Sequence, residues 1–155
     1  MGAFAGWRGT VRDEWIDYNG HLNDGCYALV LSEAVELLLV ELGLSAEHRA
    51  SSGCGMYTVE AHLRYLAEVP RGAALTAESI VVDADTKRLR VHTLLLHDGR
   101  PVATGEHLYL HVRADPGGVV PYPPEVQARV DRVLADHATL ERPAHLGLGV
   151  GTRPA

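Results

Sequence analysis

Apolar positions along this chain change their period several times, and each change marks an element. Tyr27, Val30, Leu31, Ala34, Leu38 and Leu42 recur at helical spacing, and Leu29, Val35, Leu37, Leu39 and Val40 add apolar bulk on the other sides. A helix apolar on nearly all sides is expected to be buried. Asn23 stands where an N-cap belongs, Asp24 sits in the first turn where the helix dipole favours an anion, and Gly43 suits the left-handed residue that ends a helix. From Tyr57 the period falls to two. Tyr57, Val59, Ala61, Leu63 and Tyr65 alternate with Thr58, Glu60, His62 and Arg64, which predicts a half-buried strand.

Residues 74–82 and 89–96 read as two further strands around a turn at 83–87. The run His97-Asp98-Gly99-Arg100 carries the Asp-Gly hairpin signal into a strand over 102–112. Alternation there puts Val102, Leu108, Leu110 and Val112 on one face, and Ala103, Gly105, His107, Tyr109 and His111 on the other. A first strand is predicted over 6–16 and a Ser/Gly-rich loop over 51–55. A last helix opens near Pro124, where a missing N–H costs nothing, with a stripe of Val126, Val130, Val133 and Leu134. The predicted order is strand, buried helix, four strands joined by hairpins, then a peripheral helix. This is an α+β fold in one domain over residues 1–141, followed by a loose Gly/Pro-rich tail at 142–155.

Composition narrows the function classes. The chain has 155 residues, is 46% hydrophobic and 22% charged, and carries a net charge of −6. That is the balance of a globular protein, and it excludes a disordered or collagen-like chain. The acidic balance argues against nucleic acid as a partner. Thirteen of the 14 basic residues are Arg, the side chain suited to bidentate grips on phosphate or carboxylate. Cys26 and Cys54 form no CxxC pair and are expected to be reduced thiols of a cytoplasmic protein. No apolar stretch reaches the roughly 18 residues of a membrane span, and the first ten residues lack the pattern of a secretory leader. His107 and His111 lie too far apart along a strand to share an ion, and no other histidine pattern carries metal-ligand spacing, so no metal is expected.

The densest polar cluster is Asp17-Tyr18-Asn19-Gly20-His21-Leu22-Asn23-Asp24, between a strand and the start of the apolar helix. Free backbone N–H groups at a helix N-terminus attract developing negative charge and can hold an oxyanion. A carboxylate beside them can attack a carbonyl or deprotonate the water that does. Asp17 is the candidate, with His21 and Asn23 placed to orient water or leaving group. On residue types alone, a turn at Asp17 and a cap at Asn23 account for the same run.

The run DYNGHLNDGCY, followed by an apolar helix ending Glu41-Leu42-Gly43, resembles the hotdog-fold acyl-CoA thioesterases. It is most similar to the 4-hydroxybenzoyl-CoA thioesterase-like group, whose motif D-x-x-G-H-x-N-x-x-x-Y is met by Asp17, Gly20, His21, Asn23 and Tyr27. YTVEAHLRYLAEV and VATGEHLYLHV also resemble strands of that family. The resemblance implies a five-stranded antiparallel sheet wrapped around a long central helix. It implies Asp17 as catalytic base or nucleophile, the backbone N–H near Asp24 as oxyanion donor, and no cofactor beyond the coenzyme A of the substrate. It also implies a homodimer, or a homotetramer, with the site between two copies.

The wording W-x-D-Y-N-G-H-x-N-D is similar to the branch that acts on betainyl-CoA in bacterial carnitine breakdown. A trimethylammonium group suits aromatic faces, for which Trp15, Tyr18, Tyr57 and Tyr65 are candidates. Arg64, Arg71, Arg88 and Arg90 are candidates for the CoA phosphates. In another hotdog branch a helix Glu is catalytic, which makes Glu33 a reserve. Two rival readings keep an acyl-CoA ligand: a hydratase or dehydratase using His21, and a non-catalytic acyl-CoA-binding protein.

Overall fold

The apolar run forms α1 (Asp24–Glu41), an 18-residue helix capped as its sequence predicts. The Asn23 carboxamide accepts the Gly25 N–H at 3.0 Å. At the other end Gly43 has φ of +82°, and Leu44 N–H reaches back to the Leu39 carbonyl at 2.8 Å, closing a Schellman motif. The computed structural model describes residues 2–149, so positions 150–155 of the predicted tail lie outside the described residues. The remaining elements are β1 (Phe4–Thr10), α2 (Ala46–Ser52), β2 (Cys54–Tyr65), β3 (Ala74–Ala84), β4 (Arg88–His97), β5 (Arg100–Arg113) and α3 (Pro124–His137). The strands form one antiparallel sheet in the order β1-β3-β4-β5-β2.

Three expectations change. The first strand stops at Thr10, because the chain turns off the sheet: Val11 N–H bonds the Ala73 carbonyl and residues 13–15 form a single 3₁₀ turn. The stretch at 51–55 is no loop. Ser51 and Ser52 end the short polar helix α2, Gly53 closes it in the left-handed region, and Cys54 already begins β2. The central helix is buried on one side only. Val30, Leu31, Ala34, Val35, Leu38 and Leu39 face the sheet, while Leu29, Leu37 and Val40 stand exposed on the opposite side.

The core has two halves along α1. Around its first half pack Trp7, Trp15, Tyr27, Leu75, Ala77 and Leu95. Around its second half pack Val81, Val91, Tyr109 and the α3 stripe Val126, Val130 and Val133. The face of β5 that meets α1 is the one carrying Ala103, Gly105, His107, Tyr109 and His111, while Leu108, Leu110 and Val112 are only half-buried on the other. Gly105 permits this: a Cβ there would lie 3.1 Å from a Leu31 methyl. The imidazoles on this face are partly satisfied internally, His111 by the Val120 carbonyl and by His48, each at 3.0 Å.

The chain beyond α3 crosses to the outer face of the sheet, away from α1. β1 pairs with β3 only as far as Ser79, and beyond it the His137 ring accepts the Val81 N–H at 2.9 Å. Residues 140–149 then run over the sheet, where Glu106 accepts the Gly147 N–H at 2.7 Å and Arg64 donates to the Gly149 carbonyl at 3.1 Å.

Candidate active site

The polar run folds into a tight turn ahead of α1. Asp17 N–H bonds the His21 carbonyl, and Gly20 N–H bonds the Asp17 carbonyl, both at 3.0 Å. Gly20 reaches φ of +85°, a value few side-chain-bearing residues tolerate. Leu22 N–H bonds the Val69 carbonyl and Asn23 N–H the Trp15 carbonyl, each at 2.9 Å, which pins the turn to the segment leaving β2. These bonds fix the Asp17 side chain beside the start of α1. One of its carboxylate oxygens accepts the Asn19 N–H at 2.8 Å.

An open cavity of ≈ 560 Å³ lies here, lined by Asp17, Asn19, His21, Asp24, Tyr27 and Tyr65 together with Leu22, Leu66, Ala67 and Glu68. Tyr27 is buried and donates its hydroxyl to the Ala67 carbonyl at 3.0 Å. Tyr65 stands edge-on to it at 5.3 Å and donates to the Asp24 carbonyl at 3.4 Å. Burial raises the pKa of both phenols, and the Asp24 charge adds to the shift at Tyr65. Both therefore stay protonated donors at neutral pH. The Asp24 carboxylate folds back on the Gly25 N–H at 2.9 Å, which that amide shares with Asn23. The Asp24 N–H, one residue earlier, is among the amides that a helix leaves unbonded at its start. His21 Nε2 lies 3.4 Å from the Glu68 carboxylate, while its backbone carbonyl holds the turn.

Other candidate residues stand elsewhere. Trp15 is buried in the core with the Arg12 guanidinium 4.8 Å over its ring, and Tyr18 is 97% exposed. Tyr57 lies near the opposite end of β2 from Tyr65, under Arg49, which donates to its hydroxyl at 3.2 Å. Gly20 and Asn23 shape the turn and the cap. The four arginines lie outside the cavity lining: Arg71 pairs with Asp13, Arg88 with Asp83 and Arg90 with Glu106, while Arg64 holds the Gly149 carbonyl. Glu33 accepts the Trp7 indole N–H at 3.0 Å. Glu68, Leu66 and Ala67 line the same cavity with no sequence motif to mark them. Their only signal was position, at the exit of a strand just before Pro70.

Residues 11–130 match the family described as the thioesterase-like superfamily. The chain belongs to that superfamily. Its sheet wrapped on α1 is the hotdog fold, shared with a Staphylococcus aureus protein solved in complex with CoA (25% identity, TM-score 0.90, 98% of each chain). Among curated superfamily relatives, the betainyl-CoA thioesterase of Pseudomonas aeruginosa is 38% identical over 146 residues, 93% of this chain and 92% of that one. The L-carnitine dehydrogenase/betainyl-CoA thioesterase of Agrobacterium fabrum is 43% identical over 141 residues, 90% of this chain. This chain spans 29% of that longer protein's length.

Proposed function

We propose that this chain hydrolyses an acyl-CoA thioester whose acyl group is small and cationic, betainyl-CoA being the substrate in the relatives' names. The observation that carries the reading is the cavity in which the Asp17 carboxylate and the first turn of α1 line one opening. Water adds to the carbonyl carbon, the C–S bond breaks, and the sulfur leaves as the CoA thiol after taking up a proton. Asp17 removes the water proton or attacks the carbonyl itself. The Asp24 N–H and the positive end of the α1 dipole stabilise the oxyanion. A single turnover in heavy-oxygen water separates the two roles of Asp17, since label in its carboxylate marks an anhydride.

Charge supports the cationic acyl group. The lining holds three carboxylates, those of Asp17, Asp24 and Glu68, and no Lys or Arg. An acidic opening with low-dielectric walls concentrates cations. The half-exposed Tyr65 ring adds an aromatic face for a trimethylammonium group. The working unit is a homodimer, which the exposed stripe Leu29, Leu37 and Val40 on α1 and the unpaired outer edge of β2 support. Sedimentation at a mass of one chain would overturn that.

The test is a thiol-release screen over cationic, neutral and anionic short acyl-CoAs. The wild type is expected to release thiol fastest from the cationic ester. Asp17→Asn keeps the acceptor that holds Asn19 N–H, so the turn survives while kcat falls roughly 10²–10⁴-fold. Equal rates in the two proteins would sink the reading, and an acyl-CoA consumed without thiol release would point to a hydratase.

A further inference from the structure

A second cavity, of ≈ 610 Å³, lies on the outer face of the sheet. Its floor is Ile80 of β3, His92 and Leu94 of β4 and Thr104 of β5, and its roof is the crossing segment at 140–145. Leu66 lines this cavity and the one beside Asp17 alike, so the two share a lining residue. The roof lies beyond the residues 11–130 that match the superfamily.

The floor contains an unmet hydrogen-bonding group. His92 is 5% exposed, and its Nε2 has no partner among the described residues. Burying a polar nitrogen without a partner is costly, so the group calls for a partner from outside the chain, an ordered water or a bound ligand. Burial holds this imidazole neutral, with its pKa pushed down to about 4, so it offers one hydrogen bond and no charge. Carboxylate and phosphate ligands therefore gain little from it. The aliphatic walls favour a flat uncharged ring instead. The Glu78 carboxylate supplies an acceptor for an exocyclic amine, and Arg142 on the roof suits phosphates that remain outside.

We propose that this outer cavity receives the adenine ring of the acyl-CoA substrate, the pantetheine arm passing Leu66 to bring the thioester to Asp17. The inference rests on the thioesterase reading above. It assigns His92 the role of the base-reading side chain and residues 140–145 the role of a cover.

Calorimetry of CoA against pantetheine tests binding apart from turnover. The wild type is expected to bind CoA more tightly than pantetheine. His92→Leu should weaken CoA about three- to tenfold, the loss of one hydrogen bond, and leave pantetheine unchanged. Leu94→Trp, which fills the floor without touching the catalytic cavity, should weaken CoA further and again spare pantetheine. In turnover, both variants should raise KM for acyl-CoA with kcat unchanged and leave acyl-pantetheine kinetics alone. The nucleotide half of CoA, adenosine 3′,5′-diphosphate, should compete with acyl-CoA and not with acyl-pantetheine. Equal effects on the CoA and pantetheine compounds, no effect of Leu94→Trp, or nucleotide binding that does not compete would overturn the proposal. The two readings fail separately. Thiol release at equal kcat/KM from acyl-CoA and acyl-pantetheine ends this one alone, while CoA binding in this cavity without any thiol release ends the hydrolytic one.

Discussion

In the proposed reading, Glu68 tunes the site by its charge alone. It lines the opening beside Asp17, 3.4 Å from His21, and its carboxylate is mostly solvated. A charge in that position acts on a substrate through the local field and not through a contact held in the dark of the core. Glu68→Gln keeps the shape and the hydrogen-bonding atoms while removing one negative charge. KM for a cationic acyl-CoA is expected to rise roughly three- to tenfold, with a neutral acyl-CoA unchanged, as an exposed charge a few ångströms away would give. Measured across both substrates, a parallel rise would instead assign Glu68 to holding His21. Asp17, His21 and Asn23 could be marked as candidates in the sequence because a turn, a cap and a carboxylate fall within seven residues. Glu68 could not, because what makes it a site residue is the antiparallel return of β2 to the start of α1.

Among the elements, α1 was legible at both ends. Asn23 and Gly43 are residue types with one strong reason each to stand where they do, and the apolar run between them is long. The same holds for the β4–β5 hairpin, where Asp98 and Gly99 take φ of +49° and +72°. Strand faces were less legible. In β5 the buried face includes two histidines and a tyrosine, and the leucines lie on the less buried face. A hydrophobicity pattern cannot see that His111 is satisfied by a neighbouring ring and a carbonyl, or that Gly105 brings the helix closer. α2 escaped because it is short and polar, held by a serine hydroxyl on the His48 carbonyl at 2.6 Å and by its cap, not by an apolar stripe. The end of α1 gives an element-scale prediction. Gly43→Ala forces a Cβ into the left-handed region, a cost of about 1 kcal/mol or slightly more. Its Cβ would also displace the end of the flexible Arg129 side chain. The unfolding midpoint is expected to fall by roughly 2–4 °C with the activity of the folded enzyme unaltered.

For the whole molecule, buried imidazoles set the response to acid. Burial lowers the pKa of His92, His107 and His137 in the folded chain below the ordinary imidazole value of 6.5, in His92 to about 4. The unfolded chain therefore binds more protons than the folded one between those values, and stability falls as pH drops through that window. The unfolding midpoint is expected to be level above about pH 7 and to decline from pH 6.5 toward 4, and His92→Leu should make that decline shallower. A midpoint that rises on acidification would contradict the neutral state of these rings. The crossing segment at 140–149 was the least legible part of the chain, since Gly and Pro announce a loop and say nothing of where it lies.

Its position nonetheless restricts assembly. A second sheet stacked face to face would need to approach to about 10 Å, with side chains meshing across the gap. Part of that layer is already occupied by the chain's own last described residues, bonded to Glu106 and Arg64. Over that part of the outer face a second sheet cannot come to stacking distance while the segment stays in place, so any such stacking has to displace residues 140–149 first.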